Sequence, residues 1–152
     1  MKLTKPKKLC LRFVVTLFLS GIMTLAFETG CSTNPYRKAE IHLNQKRDKE
    51  ALKIYLGLAN ANRKDMRALI GAAIAYRNLG KPQACMKLCR TVLKIKPNHA
   101  AALYYLGCCL EELGQTKMAM KYYGQYNFVS RDDPYYSFLK ARMNIMKFKG
   151  HQ

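Results

Sequence analysis

Cys85 and Cys89 stand four residues apart, and Cys108 and Cys109 follow as an adjacent pair. Residues i and i+4 share one face of a helix. Three chemistries fit such thiols. A metal site needs about four ligands around one ion. A disulfide needs an oxidising compartment. A packed core uses Cys as a small apolar side chain. The other candidate groups form no constellation. His42, His99 and His151 are far apart, and none lies beside a nucleophile and a carboxylate. Glu111 and Glu112 are consecutive, so on a helix they diverge by about 100° and cannot act as a facing carboxylate pair. Asp132 and Asp133 read as loop and N-cap. No glycine-rich loop is arranged to cradle a phosphate. The expectation is a chain that is not an enzyme and carries no cofactor or metal.

Charge points to partners without choosing among them. The 152 residues carry a net charge of +18. From Cys31 onward, 22 lysines and arginines face 8 acidic residues, leaving +14. Such a field attracts acidic proteins, anionic lipid and nucleic acid alike. Tyrosines are plentiful (Tyr104, Tyr105, Tyr122, Tyr123, Tyr126, Tyr135, Tyr136), and bases stack on aromatic rings. Half of these rings fall on helix-packing positions, and an export signal takes the chain away from nucleic acid, so no nucleic-acid partner is expected.

That signal is the N-terminal segment. Lys2 to Arg12 are basic, and Phe13 to Phe27 form an uncharged apolar run of 15 residues. A membrane-spanning helix needs about 20 residues and a signal core about 7–15. Export is the reading that the length favours, with an uncleaved anchor as the alternative. Thr29-Gly30-Cys31-Ser32 resembles the lipobox of bacterial lipoproteins, in which the cysteine is lipidated and becomes the new N-terminus. Gly30 and Cys31 match, whereas Glu28 stands where that family has an apolar residue. The resemblance implies acylation of Cys31. Ser32 is not the aspartate that retains lipoproteins at the inner membrane. The implied location is the bacterial envelope, lipid-anchored, with the rest in the periplasm and the outer membrane slightly favoured.

The chain also repeats. A shift of 34 residues places Ala68 on Ala102, Leu69 on Leu103, Leu79 on Leu113, Gly80 on Gly114, Met86 on Met120 and Lys87 on Lys121. A 34-residue helical period resembles the tetratricopeptide repeat family. Leu103, Leu106, Gly107, Leu110, Ala119 and Tyr123 occupy its signature slots in one repeat. Leu69, Ala72, Ala73, Tyr76, Cys85, Cys89 and Pro97 occupy them in another. The first repeat is weaker, with Pro35, Lys38, Ala39 and His42 and then Ala51, Tyr55 and Leu58. In this register Cys85 and Cys89 sit in core slots, which favours the packing option for them.

The expected fold is all-α, a right-handed superhelix of antiparallel helix pairs. Residues 1–30 form the signal and 31–34 a short tether. The repeat domain spans 35–148, as repeats of about 32–65, 66–99 and 100–132 and a cap at 133–148. Helices are expected near 35–45, 49–61, 66–79, 82–95, 100–113 and 116–129, with a last one from Asp133-Pro134 to about Phe148. Asp65 reads as an N-cap, Gly80 and Gly114 as helix stops, and Pro82 as a helix start.

The resemblance also implies what the fold does. The first helix of each pair lines a concave groove that takes a segment of a partner protein. The groove positions carried over are Tyr36, Arg67, Ile70, Ile74, Arg77 and Tyr104. Arg67 and Arg77 suit an acidic segment, since Arg grips a carboxylate with two parallel bonds. The expected role is a protein–protein interaction adaptor or scaffold of the bacterial envelope that aids assembly of a complex. The alternative is an anchored or free module serving a cell-wall enzyme or a secretion or host-directed system. Intact mass of the membrane-extracted protein tests the tether. The expected mature chain begins at Cys31 with added acyl mass, which Cys31→Ala loses; an unmodified mass would show that Glu28 blocks the lipobox.

Overall fold

The structure is a computed structural model that describes residues 34–149. The expected signal segment, the expected lipidation site Cys31 and most of the expected tether lie outside the described residues. Seven α-helices and no strand are found among the described residues: α1 Pro35–Asn44, α2 Asp48–Ala61, α3 Met66–Asn78, α4 Pro82–Ile95, α5 Ala100–Glu112, α6 Thr116–Tyr123 and α7 Tyr136–Lys149, with a 3-10 turn at Gly124–Phe128 between the last two. None of these helices is long and apolar enough to cross a membrane.

Local chemistry sets the boundaries. Asn34 caps α1 by accepting from the Tyr36 N–H, with Pro35 in the first turn. Asp65 caps α3 by accepting from the Ala68 N–H at 3.0 Å. His99 does the same for α5 through Nδ1, at 3.3 Å from the Ala102 nitrogen. Each cap satisfies a backbone donor that the helix itself leaves without a partner. Gly80 and Gly114 lie at φ +69° and +72°. There the N–H of the next residue reaches back to Tyr76 O and Leu110 O, closing a Schellman turn. Lys46 takes the same place after α1, at φ 56°, with Arg47 N–H bonded to His42 O. The weak first repeat thus makes the same turn without the glycine.

Consecutive helices pack as antiparallel pairs, and each pair stacks on the next. Besides these neighbours, α3 touches α1, α5 touches α3 and α7 touches α5. The helices that touch one another across repeats form the inner layer of the superhelix, with α2, α4 and α6 outside. Close approach needs small side chains. Ala39, Ala51, Ala68, Ala72, Ala73, Ala102 and Ala119 are fully buried. A Cβ on Gly71 would overlap the Tyr55 ring, and one on Gly107 would overlap the Tyr123 ring. Leu103, Leu106, Leu110, Val92, Cys85, Cys89 and Cys109 fill the space between.

Two boundaries differ from the sequence reading. The helix expected to reach residue 129 stops at Tyr123 and continues as the 3-10 turn. Gly124 costs about 1 kcal/mol relative to Ala in a helix interior, which weakens the segment there. Asn98 then holds the end of the turn, its Nδ2 donating to Phe128 O at 3.1 Å. The last helix begins at Tyr136 rather than at Asp133-Pro134. Asp133 caps the turn before it, accepting from the Tyr135 N–H. From α5 to α7 the helix start therefore moves by 36 residues instead of 34. In that register Leu139, Met143 and Met146 take the places of Leu103, Gly107 and Leu110, and Leu139 and Met146 are buried. The cap is a further inner-layer helix.

Lys46 pays a left-handed strain of about 1 kcal/mol that Gly escapes. Lys46→Gly is expected to raise unfolding stability by about that amount. Urea denaturation measures it, and an unchanged or lower midpoint would contradict the turn geometry.

Candidate peptide-binding face

The inner helices bring the groove residues of the sequence reading together on one side. Tyr36 projects from α1, Arg67, Ile70, Ile74 and Arg77 from α3, and Tyr104 from α5. Arg67 lies over the Tyr36 ring, 4.6 Å from its centroid. Its Nη2 also donates to Glu40 of α1 at 2.6 Å. The Tyr36 hydroxyl donates to Asp65, so α1 is tied to both the cap and the first turn of α3. At the other end of α3, Arg77 donates through Nε and Nη2 to Glu112 of α5, at 2.8 and 2.6 Å. Arg142 of α7 donates to Glu111 of α5 at 2.7 Å. All three ion pairs among the described residues join one inner helix to the next.

This changes the meaning of the two arginines. The sequence reading left Arg67 and Arg77 open to an acidic segment; both already hold a carboxylate of the chain itself. The hydrogen bond to Glu40 holds the Arg67 guanidinium above its ordinary pKa. Burial works against the charge on Arg77, yet the Glu112 hydrogen bond and neighbouring groups leave its pKa raised too. The two isoleucines carried over as groove positions differ in exposure. Ile70 is 8% exposed and belongs to the core, whereas Ile74 is half-buried.

Tyr104 is enclosed by rings. Its centroid lies 5.2 Å from Tyr105, 5.6 Å from Tyr135 and 5.8 Å from Phe138. Such edge and tilted contacts suit the ring quadrupoles. Phe138 and Arg142 are the site residues that the sequence reading missed, because it treated residues 133–148 only as a cap. A signal was available: Arg142 interrupts the apolar series Leu139, Met143, Met146 on the buried face. Glu111 is the junction here. It accepts from Arg142 and, at 2.9 Å, from the Tyr123 hydroxyl, which also lies 3.4 Å from Cys108 Sγ. Cys108 is buried beneath.

The four cysteines are free and buried. Cys85 and Cys89 Sγ are 4.0 Å apart. The hydrogen bond with Cys85, followed by burial, pushes the Cys109 thiol far above its usual pKa. A thiol held protonated is a poor nucleophile and a poor metal ligand. No group of three or more His, Cys, Asp or Glu side chains among the described residues is arranged to hold a metal ion.

Residues 76–143 match the Tetratricopeptide repeat family. The fold is similar to that of the Yersinia enterocolitica type III secretion chaperone SycD in complex with a peptide of the translocator YopD. That likeness has a TM-score of 0.68 at 13% identity, covering 76% of this chain and 92% of that one. It is equally similar to the first tetratricopeptide repeat domain of Spaghetti (RPAP3) bound to the HSP90 peptide SRMEEVD. Here the TM-score is 0.68 at 15% identity, covering 78% and 91% of the two chains. A curated relative, the inactive peptidyl-prolyl cis-trans isomerase shutdown of Bombyx mori, is 36% identical over 58 residues, 37% of this chain. The chain spans 13% of the length of that relative. The expected all-α tetratricopeptide-like superhelix is thus the observed fold.

The contrast between Glu111 and Glu112 is testable. Glu111 is 18% exposed and serves two residues, Arg142 and Tyr123, whereas Glu112 is 41% exposed and serves Arg77 alone. Glu111→Ala leaves a buried hydroxyl and a guanidinium short of an acceptor, a loss of about 1–3 kcal/mol. Glu112→Ala removes a more exposed pair, worth about 0–1 kcal/mol. Urea midpoints of the two variants should separate in that order; equal losses would contradict the junction role of Glu111.

Proposed function

We propose that the chain is a non-enzymatic adaptor whose inner face takes a segment of a partner protein while its N-terminal segment holds it at the bacterial envelope. The observation that carries the reading is the single face made by α1, α3, α5 and α7, lined by Tyr36, Arg67, Ile74, Arg77 and Tyr104. Tyr and Arg are the residue types most enriched at interface hot spots. The bound peptides of the Yersinia chaperone and Spaghetti structures support the same use of the fold.

The ion pairs refine what the partner has to bring. An acidic segment binds by exchanging its carboxylate for that of Glu40 or Glu112, so charge adds selectivity more than affinity. The affinity then rests on apolar side chains placed against Ile74 and the Tyr104 cluster. The envelope part of the reading rests on Cys31 and the apolar run Phe13 to Phe27, and assembly of an envelope complex is the role proposed there. A second reading, a chaperone for a secreted protein, is favoured by the likeness to the type III chaperone fold.

Site-specific photocrosslinking in cells tests both. Benzoylphenylalanine at Tyr36 or Tyr104 is expected to capture a discrete partner protein, and at the outward Asn60 of α2 to capture none. An envelope protein among the captured species fits the first reading and an exported substrate the second. Capture that is equal from all three positions would remove the groove from consideration.

A further inference from the structure

The acidic residues are unevenly spread over the fold. Glu40, Glu111 and Glu112 are engaged on the inner face, Asp65 caps α3 and Asp133 caps the turn before α7. The outer helices α4 and α6 contain no acidic residue, and those of α2 are confined to its first turn, where Asp48 accepts from Asn78 and Glu50 follows. Their exposed positions, and those of α2, carry lysine in register. Lys53, Lys87 and Lys121 stand at the same place in three successive repeats, 34 residues apart. One turn earlier, Lys49 and Lys117 repeat the theme. All five are exposed, and no ion pair among the described residues involves them. Equivalent positions of a stacked repeat line up along its outer surface. Arg90 and Lys94, also exposed, add charge to the middle of the row.

We propose that this outer lysine row is a docking surface for an anionic phospholipid bilayer, holding the domain with its inner face turned away from the membrane. Lysine is a compact point charge that does not demand planar bidentate geometry, which suits a field of headgroups. Each lysine brought to an anionic surface favours binding by about fivefold, so a row acts strongly although each member acts weakly. Protein interfaces are depleted in lysine. Single-stranded nucleic acid needs aromatic platforms between the charges. Of the tyrosines on the outer helices, Tyr55 and Tyr123 are turned inward and buried, and Tyr122 packs half-buried against the core. The inference uses the envelope reading only to bring a bilayer within reach, and it is independent of what the groove binds.

The experiment uses the full-length protein on vesicles of phosphatidylcholine alone and of phosphatidylcholine mixed with phosphatidylglycerol. The apolar N-terminal run attaches the chain to both, and reading each lysine separately distinguishes the outer row from the basic segment Lys2 to Arg12. A membrane-impermeant amine-acylating reagent and mass spectrometry report each lysine. Labelling of Lys53, Lys87 and Lys121 is expected to fall at least about threefold on the anionic vesicles and to recover at about 0.5 M salt, as a screened interaction requires. Lys140 and Lys147 of α7 are expected to label equally on both. In Lys53→Glu/Lys87→Glu/Lys121→Glu, three exposed changes that leave the core intact, Lys49 and Lys117 should lose their protection. Equal labelling on the two vesicles overturns the proposal. So does equal protection of Lys140 and Lys147, or protection by duplex DNA with none by anionic vesicles.

Discussion

Tyr55 and Tyr123 each bury a ring against a glycine, Gly71 and Gly107, where any side chain would collide with it. Those contacts, with the fully buried alanines around them, set how closely one helix can lie against the next. Interiors pack like organic crystals, so the spacing tolerates little change. Everything functional in this chain inherits it. The inner helices meet only because the paired helices have drawn together, and the arginine–carboxylate bridges between them require that meeting.

The placement of charge follows from the same layering. Inner helices lie close enough for a side chain on one to reach the next, so acids and arginines there neutralise one another. Outer helices diverge with the curvature of the stack, and no lysine among the described residues forms an ion pair. One sequence with a single overall charge excess therefore presents a balanced face and a basic face. Net charge alone describes neither.

Much of the fold was legible because its devices are local. Asp65, Gly80, Pro82 and Gly114 act within a turn of themselves, and the 34-residue register fixes which apolar residues meet. Three features were not legible for physical reasons. Lys46 adopts a glycine conformation because the packing of α1 on α2 outweighs its backbone preference. The 3-10 turn that replaces the end of α6 is held by Asn98, a contact across 30 positions that leaves no periodic trace. The pairing of Arg67 and Arg77 depends on carboxylates 27 and 35 residues away, and a motif carried over position by position says which side chains share a face but not which of them already hold each other.

The cysteines gain a use from their burial. Cys85, Cys89 and Cys109 lie between the second and third helix pairs, reduced and closed to solvent. A thiol reagent can reach them only when those pairs part, so the rate of modification counts openings of the stack and not the chemistry of the thiol. Cys108, beneath Glu111 and Tyr123, samples a different seam, where α7 meets α5. The molecule thus carries built-in clocks at two of its joints, and they need no added label to be read.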